Sequence, residues 1–397
     1  MQPVSGEAIM ALDHSIFTQL GIYDGPWNRP VTNPLLGNGT AGNDDIKITN
    51  IGAGLVVNGM GGNDRITFGI DLLTGTANGG DGSDQIYGSN GINILNGGNG
   101  NDYIEGGGGV DTLSGGAGID TVGYASATGA VNVNLLTNLV TGAAGADVIS
   151  GFENIVGSDF GDTLTGNAGD NMIFGLGGND TINGGDGNDY IEGVSGADTL
   201  TGGAGIDTLG YSTAFTSVVV TLNASGGASV SGVGAGGDVV LSGFENIAGS
   251  QFNDFLTGNA GDNMIFGQVG NDTINGGDGN DLIFGNRDGD QLIGGNGADF
   301  FVYSLASDSP FVDEFGFLQD SIYDFSHAEG DKIDVSRMAG DQAFTFVGNG
   351  NFSGGGIASL RYDAGELTAD VDGNGSSDMR IHMLDLASPL TAQDFIL

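Results

Sequence analysis

The chain has 397 residues, of which 80 are Gly, with 39 % hydrophobic and only 15 % charged residues; this composition belongs to a repeat architecture more than to a conventional packed domain. Acids outnumber Lys and Arg 50 to 8, for a formal charge of −42. That balance excludes nucleic acid and anionic membranes as partners and requires something that neutralises carboxylates before the chain can compact. Disorder is the competing outcome of so much charge, and the regular spacing of the apolar residues argues against it.

There is no Cys, which leaves a metal as the obvious cross-link. The N-terminal MQPVSGEAIMALDHSIF has neither a basic n-region nor a long apolar h-region, so no Sec-type signal peptide is expected. Without a run of about 18 apolar residues, no membrane-spanning helix is expected either. Residues 1–36, which include Trp27, read as a short N-terminal cap.

From residue 37 the chain repeats itself. GTAGNDDIK from Gly39 and GMGGNDRIT from Gly59 lie 20 residues apart, and the next copy starts 20 further on at Gly79. A period of nine then runs from Gly79 to the end of the first roll run, 37–123, resumes over 157–210 and again over 249–302, with GGDGNDYIE at 184–192 as a clear copy. Glycines at the first, second and fourth places allow a tight turn with positive φ. The sixth place projects a carboxylate into that turn. Places seven to nine form a very short strand with its middle residue inward: Ile86, Ile104, Leu113, Ile182, Ile191, Leu200, Ile274 and Ile283. Alternation should turn the seventh and ninth residues outward. A three-residue strand buries almost nothing alone, so eighteen-residue coils of two repeats must stack to make a thin continuous core.

These nonapeptides resemble the RTX, or haemolysin-type, calcium-binding repeats, G-G-x-G-x-D-x-U-x with U aliphatic, whose association with a calcium-binding β-helix is a general one. The resemblance implies an all-β fold, a parallel β-roll solenoid with calcium ions held between turns by sixth-place aspartates and turn carbonyls. Carboxylate and carbonyl oxygens suit calcium, a hard cation that takes 6–8 of them. Its implied ligands are Asp44, Asp64, Asp84, Asp102, Asp111, Asp120, Asp162, Asp180, Asp189, Asp198, Asp207, Asp254, Asp272, Asp281, Asp290 and Asp299. Asn93, Asn171 and Asn263 put a neutral amide at that place and weaken their sites; Phe160, Phe252 and Asp288 replace the fourth-place glycine, which opens or rebends those turns. Because the carboxylates repel until cations bridge them, folding and calcium binding form one equilibrium.

The spacers 124–156 and 211–248 are related to each other: GFENIVGSDFGDTLTGNAGDNMIFG at 151–175 matches GFENIAGSQFNDFLTGNAGDNMIFG at 243–267. They read as calcium-free coils that continue the roll, with small excursions between separate rolls as the alternative. Asp147 in GADVIS reads as a turn residue rather than a ligand.

From about residue 299 the chain resembles the C-terminal domain of serralysin-type proteases, through DxIxDF at 320–325, GDKIDVS at 330–336 and the final DFIL at 394–397. That resemblance implies a β-rich cap over 303–397, a C-terminal signal read by type I secretion machinery, and a secreted, extracellular protein. Within it Asp370, Asp372, Asn374 and Asp378 follow the first nine places of an EF-hand loop, but Ile381 stands where a bidentate Glu belongs; ion site and Asx/Gly turn both stay open. No H-E-x-x-H, G-x-S-x-G or phosphate-loop motif occurs, and His14, His327 and His382 lie in unrelated contexts. The expectation is a non-enzymatic structural or adhesive protein, with possible self-assembly or a cell-surface partner. A secreted effector, or an orphaned carrier domain of a serralysin-type protease, is the alternative.

Overall fold

In the computed structural model the described residues are 29–31, 39–48, 53–70, 72–309, 319–338, 343–352, 354–384 and 386–397. The N-terminal cap expected over 1–36, with His14 and Trp27, lies outside them apart from the strand Arg29–Val31. Among the described residues there is no α-helix; strands alternate with glycine turns, and the only helical turns are short 3-10 segments. The chain forms two compact units, residues 1–207 and 208–397.

In the first unit successive nonapeptides go alternately to two sheets. One sheet stacks Arg29–Val31, Asp44–Ile48, Arg65–Phe68, Gln85–Tyr87, Tyr103–Glu105, Thr121–Gly123, Asn154–Val156, Met172–Phe174 and Tyr190–Glu192, every neighbour parallel. The other runs through Ala53–Gly61, Thr74–Asp81, Ile92–Asn99 and Thr112–Ala117. Register is residue for residue, so Ile86 lies on Ile104 in one sheet and Leu95 on Leu113 in the other. The expected inward residues are all buried: Ile86, Ile104, Ile191, Leu113 and Leu200 at 0 %, Ile182 at 1 %. The architecture is a parallel β-roll whose core is one side chain wide per strand.

The spacer 124–156 does different things to the two sheets. It adds the single strand Asn154–Val156 to the first, between Thr121–Gly123 and Met172–Phe174. To the second it adds three strands: Val148–Ser150 parallel to Thr112–Ala117, then the antiparallel pair Leu139–Gly142 and Val131–Asn134, which leads into Thr163–Thr165. Coil and hairpin excursion are therefore combined. Beyond it Thr181–Asp186 and Thr199–Ala204 continue the second sheet.

The alternation expected at the seventh and ninth places holds on the second sheet and in Asp44–Ile48 and Arg65–Phe68 of the first, and fails in the later strands of the first. Tyr103 and Glu105 flank Ile104 yet are 0 % and 2 % exposed. The outer side of that sheet carries a further cluster of Tyr103, Val156, Phe174 and Leu176, with Tyr87, Met172, Tyr190 and Val194 packed against it. Aromatic side chains at the seventh place gain enough by burying their faces together to make a second apolar layer outside the roll.

In the second unit the same plan holds. Thr208–Gly210, Asn246–Ala248, Met264–Phe266, Leu282–Phe284, Phe300–Val302, Lys332–Asp334 and Phe395–Ile396 form one parallel sheet. The chain's last strand thus completes the stack. In the other sheet Val219–Leu222, Phe255–Thr257, Thr273–Asp278, Gln291–Asn296 and Asp320–Ile322 lead to Met379–Met383, where the antiparallel strands Glu366–Asp370 and Ser359–Asp363 take over. Ile274 and Ile283 are both fully buried.

Candidate metal centres

Stacking brings the sixth-place residues into rows. In each row one carboxylate oxygen accepts the backbone N–H of the corresponding residue one coil earlier. Asp64 accepts from Asp44, Asp84 from Asp64, Asp102 from Asp84 and Asp120 from Asp102, at 2.7–2.8 Å. The second row of the first unit runs Asn93 to Asp111, and beyond the hairpin Asp162 to Asp180 to Asp198, with Asn171 to Asp189 to Asp207 on the other side. In the second unit Asp254, Asp272 and Asp290 form one row, and Asn263, Asp281 and Asp299 the other. All sixteen expected nonapeptide aspartates stand in these rows.

The other oxygen separates them into two kinds. Oδ2 of Asp64, Asp84, Asp102, Asp111, Asp120, Asp189, Asp272, Asp281, Asp290 and Asp299 is buried and accepts no hydrogen bond. It points at the first glycine of its own repeat: a methyl group on Gly97 would collide with Asp102 Oδ2 and crowd the Gly115 carbonyl of the next coil. The first glycine is thus required for close approach, while the second and fourth supply the left-handed turn, with φ of 125° at Gly98 and 122° at Gly100. Burial pushes these carboxyls far above their ordinary range, Asp84 to about 7 and Asp102 and Asp272 to about 8. Neighbouring carboxylates in the row add to the rise at Asp102 and Asp272. A buried carboxylate oxygen without a donor is costly unless a cation or proton satisfies it. A carboxylate oxygen facing backbone carbonyls, with space only glycine leaves, fits an oxygen-preferring cation such as calcium.

The second kind is already satisfied by the chain. Ser158 donates its N–H and hydroxyl to Asp162, and Ser250 does the same for Asp254. These are the two repeats with Phe at the fourth place; the serine hydroxyl accepts from the Phe160 and Phe252 N–H, rebuilding the turn without its glycine. By contrast, Asp288 keeps the left-handed turn at φ 80°. Asp44 takes donors from Thr40. At two of the three places where Asn replaces Asp the amide does the bridging: Asn171 donates to the Glu153 carbonyl and Asn263 to the Glu245 carbonyl, both at 2.6 Å, whereas the Asn93 amide nitrogen is buried without an acceptor.

Four row members escaped the reading of the sequence. Asp111 donates its N–H to Asp147 and Asp120 to Glu153, while Asp290 donates to Asp320 and Asp299 to Asp331. Asp147 is therefore a buried rung and not a simple turn residue. GAAGADVIS, 142–150, is a degenerate nonapeptide with glycine at places one and four, Asp147 sixth and Ile149 eighth, and that phase was the available signal. Glu153, Asp320 and Asp331 sit in no such phase.

Asp370, Asp372 and Asp378 do come together, each offering an oxygen within 4.8 Å of the others. Backbone N–H groups of Asn374 and Gly375 bind Asp370, that of Val371 binds Asp378, and the Asn374 amide is bonded to Asp372. Ile381 lies in the following strand, buried. His327 and His382 are tied to Asp394 and Glu366, at 2.8 and 2.6 Å.

Residues 199–397 match the family Peptidase M10 serralysin C terminal, half of the chain. The chain belongs to that family. RTX calcium-binding nonapeptide repeats match in four copies, over 69–95, 87–122, 156–191 and 174–209. RTX repeats bind multiple calcium ions, and both families are typical of secreted proteins. The serralysin match takes in the third repeat run and the second spacer as well as the cap.

Among solved structures, the chain is similar to two subunits of the Azotobacter vinelandii mannuronan C5-epimerase. AlgE6R3 is 29 % identical over 37 % of this chain and 78 % of that one, with a TM-score of 0.28. AlgE6R2 is 25 % identical over 38 % and 92 %, with a TM-score of 0.29. The extracellular lipase LipA from Serratia marcescens is 15 % identical over 81 % and 41 %, with a TM-score of 0.18. No curated protein matches the chain. Among the described residues no helix of this serralysin-family chain is long and apolar enough to cross a membrane.

Proposed function

We propose that this is an exported, non-enzymatic structural or adhesive protein whose β-roll folds when calcium fills its carboxylate rows. The observation that carries this reading is the set of buried Oδ2 atoms without donors, aligned in successive coils. The ligands would be Asp64, Asp84, Asp102, Asp111, Asp120, Asp189, Asp272, Asp281, Asp290 and Asp299, with Asp180, Asp198 and Asp207 continuing their rows. Bound calcium supplies the positive charge that lets neighbouring carboxylates stay ionised at one-coil spacing. Asp44, Asp162 and Asp254 hold their turns through Thr and Ser donors and contribute less to binding. The Asp370, Asp372, Asn374 and Asp378 loop is a further, weaker site.

Each ion at about 100-fold over its Kd stabilises the folded state by about 2.7 kcal/mol, so a few ions match the stability of an ordinary domain, about 5–15 kcal/mol. Export by type I machinery through the C-terminus fits the same switch. Phe395 is buried and paired in a strand in the folded state, so that end is open for recognition only in a chain not yet folded by calcium. A calcium titration followed by circular dichroism and light scattering tests this reading. The expected result is a cooperative gain of β signal with a falling radius, reversed by chelator. A calcium-free chain with its full β spectrum at pH 8 would falsify it.

A further inference from the structure

Every first place inside the three nine-residue runs, from Gly79, Gly157 and Gly249 onward, is glycine. Nine residues after the last of them, Gly115, Gly202 and Gly294, the next first place is Tyr124, Tyr211 and Tyr303. The backbone keeps the plan. The N–H groups of Gly157 and Gly249 donate to Phe174 and Phe266, and in the same way Tyr124 donates to Val156, Tyr211 to Ala248 and Tyr303 to Asp334, all at 2.8–2.9 Å. Only the side chain differs. A β-carbon at the first place is aimed at the carboxylate oxygen that glycine leaves bare, as at Gly97 and Asp102.

At two run ends the tyrosine reaches such an oxygen. Tyr124 is 1 % exposed, and its hydroxyl donates to Asp147 Oδ2 at 3.5 Å. Tyr211 is 4 % exposed and donates to Asp238 Oδ2 at 3.1 Å. Asp147 follows Asp111 in its row, in the slot that an eighteen-residue step would give to Gly129, the sixth place counted from Tyr124. Tyrosine and carboxylate therefore stand in the relation that glycine and carboxylate have inside a run, with a phenolic proton on the oxygen. At the third run end the Tyr303 hydroxyl and Asp320 Oδ2 are buried without forming a hydrogen bond, so that end lacks the closure. Past the spacers, Ser158 and Ser250 donate to Asp162 and Asp254. Each spacer is thus bracketed by hydroxyl donors, tyrosine before it and serine after it.

We infer, on the basis of the calcium-filled rows proposed above, that Tyr124 and Tyr211 are stops that end calcium loading where the first and second runs meet their spacers. A proton and a cation compete for one carboxylate oxygen, and a buried tyrosine hydroxyl needs an acceptor. The ring also fills the space that glycine leaves for an ion. Asp147 and Asp238 are then acids that take no ion, and the hairpins beside them join the roll through bonds that need no calcium.

Calorimetric ion counts on the full chain, with circular dichroism of the same samples, test this. Asp147→Asn combined with Asp238→Asn should bind as many calcium ions as the wild type, whereas Asp102→Asn combined with Asp111→Asn should bind one fewer for each substitution. Tyr124→Gly combined with Tyr211→Gly restores the glycine of the runs and should add one ion at each place. Loss of two buried rings endangers folding, so Tyr124→Phe combined with Tyr211→Phe keeps the rings and removes only the donors. That pair should lower the folding equilibrium constant at saturating calcium by about 5- to 100-fold per site, the order expected when a buried acceptor loses its donor, with the ion count unchanged. A wild type that binds no calcium overturns this inference together with the calcium reading. A wild type that binds calcium but loses ions with Asp147→Asn and Asp238→Asn overturns the stops alone. So does a folded glycine pair with an unchanged count, or a phenylalanine pair as stable as the wild type.

Discussion

The coils at 79–123 and the coils that follow the two GFEN segments share one backbone plan and satisfy it by different chemistry. In the first, Asp84, Asp102, Asp111 and Asp120 each hold a bare buried oxygen. In the second, Ser158 and Ser250 occupy their aspartates with hydroxyl and amide donors, and Asn171 and Asn263 stitch themselves to the Glu153 and Glu245 carbonyls. One region is left incomplete for a cation; the other is closed by neutral donors. The substitutions that read as defects in the sequence are the places where the chain supplies its own substitute for the ion, next to the hairpins that interrupt the second sheet.

The largest expected break in this contrast comes from Asp102→Ala. It removes a bare oxygen and the acceptor of the Asp84 N–H together, so the loss at saturating calcium should be about 3–5 kcal/mol in denaturant unfolding. Asp162→Ala should cost about 1–2 kcal/mol and leave the number of bound ions unchanged, since its partners are a serine and backbone. Equal losses at the two positions would erase the distinction.

Next in size is a pH effect confined to the calcium-free chain. The folded-state pKa values of Asp64 and Asp84 at about 7, and of Asp102 and Asp272 at about 8, lie above the unfolded value near 3.9. Groups raised in this way favour the folded state fully below the unfolded pKa, and that stability is lost progressively as pH rises from about 4 to about 8. Lowering the pH of calcium-free protein from 8 to 5.5 should therefore recover β structure, because protons stand in for the cation. With calcium saturating, stability should be nearly flat over the same window. Circular dichroism along both titrations checks the pair.

Asn171→Asp sharpens the comparison with a smaller effect. Without calcium the variant loses the bond to the Glu153 carbonyl and should fall by about 1–3 kcal/mol. With calcium it should bind one ion more than wild type by calorimetry, since the repeat regains a sixth-place carboxylate.

Much of this was legible in the sequence because a solenoid converts period directly into space. Eight inward aliphatic residues and fourteen of the sixteen row aspartates follow from counting by nine, Asp44 and Asp64 from the copies spaced by twenty. What failed did so where tertiary packing overrides the period. Tyr103 and Glu105 are buried because aromatic rings on neighbouring coils cover each other, which no single repeat announces. Glu153, Asp320 and Asp331 join the rows from segments 30 to 33 residues away, off the nine-residue count and without its glycines, keeping only the buried aliphatic residue two places on, Ile155, Ile322 and Ile333. Which aspartates were already satisfied depended on a serine four residues earlier, a local bond that reads as sequence noise.

The way one row ends carries a consequence for the size of such molecules. In the second unit the chain of donors passes from Asp254 to Asp272, Asp290 and Asp320, and Asp320 hands its N–H to the hydroxyl of Ser309, which in turn donates to the Arg380 carbonyl. Each rung asks only for an acceptor on the next, whatever the number of rungs before it. A terminator that absorbs the last request closes a ladder of any length. Coils can thus be inserted or deleted upstream, in whole eighteen-residue steps, without redesign of the closing segment, and the molecule's length becomes a variable separate from its ability to fold.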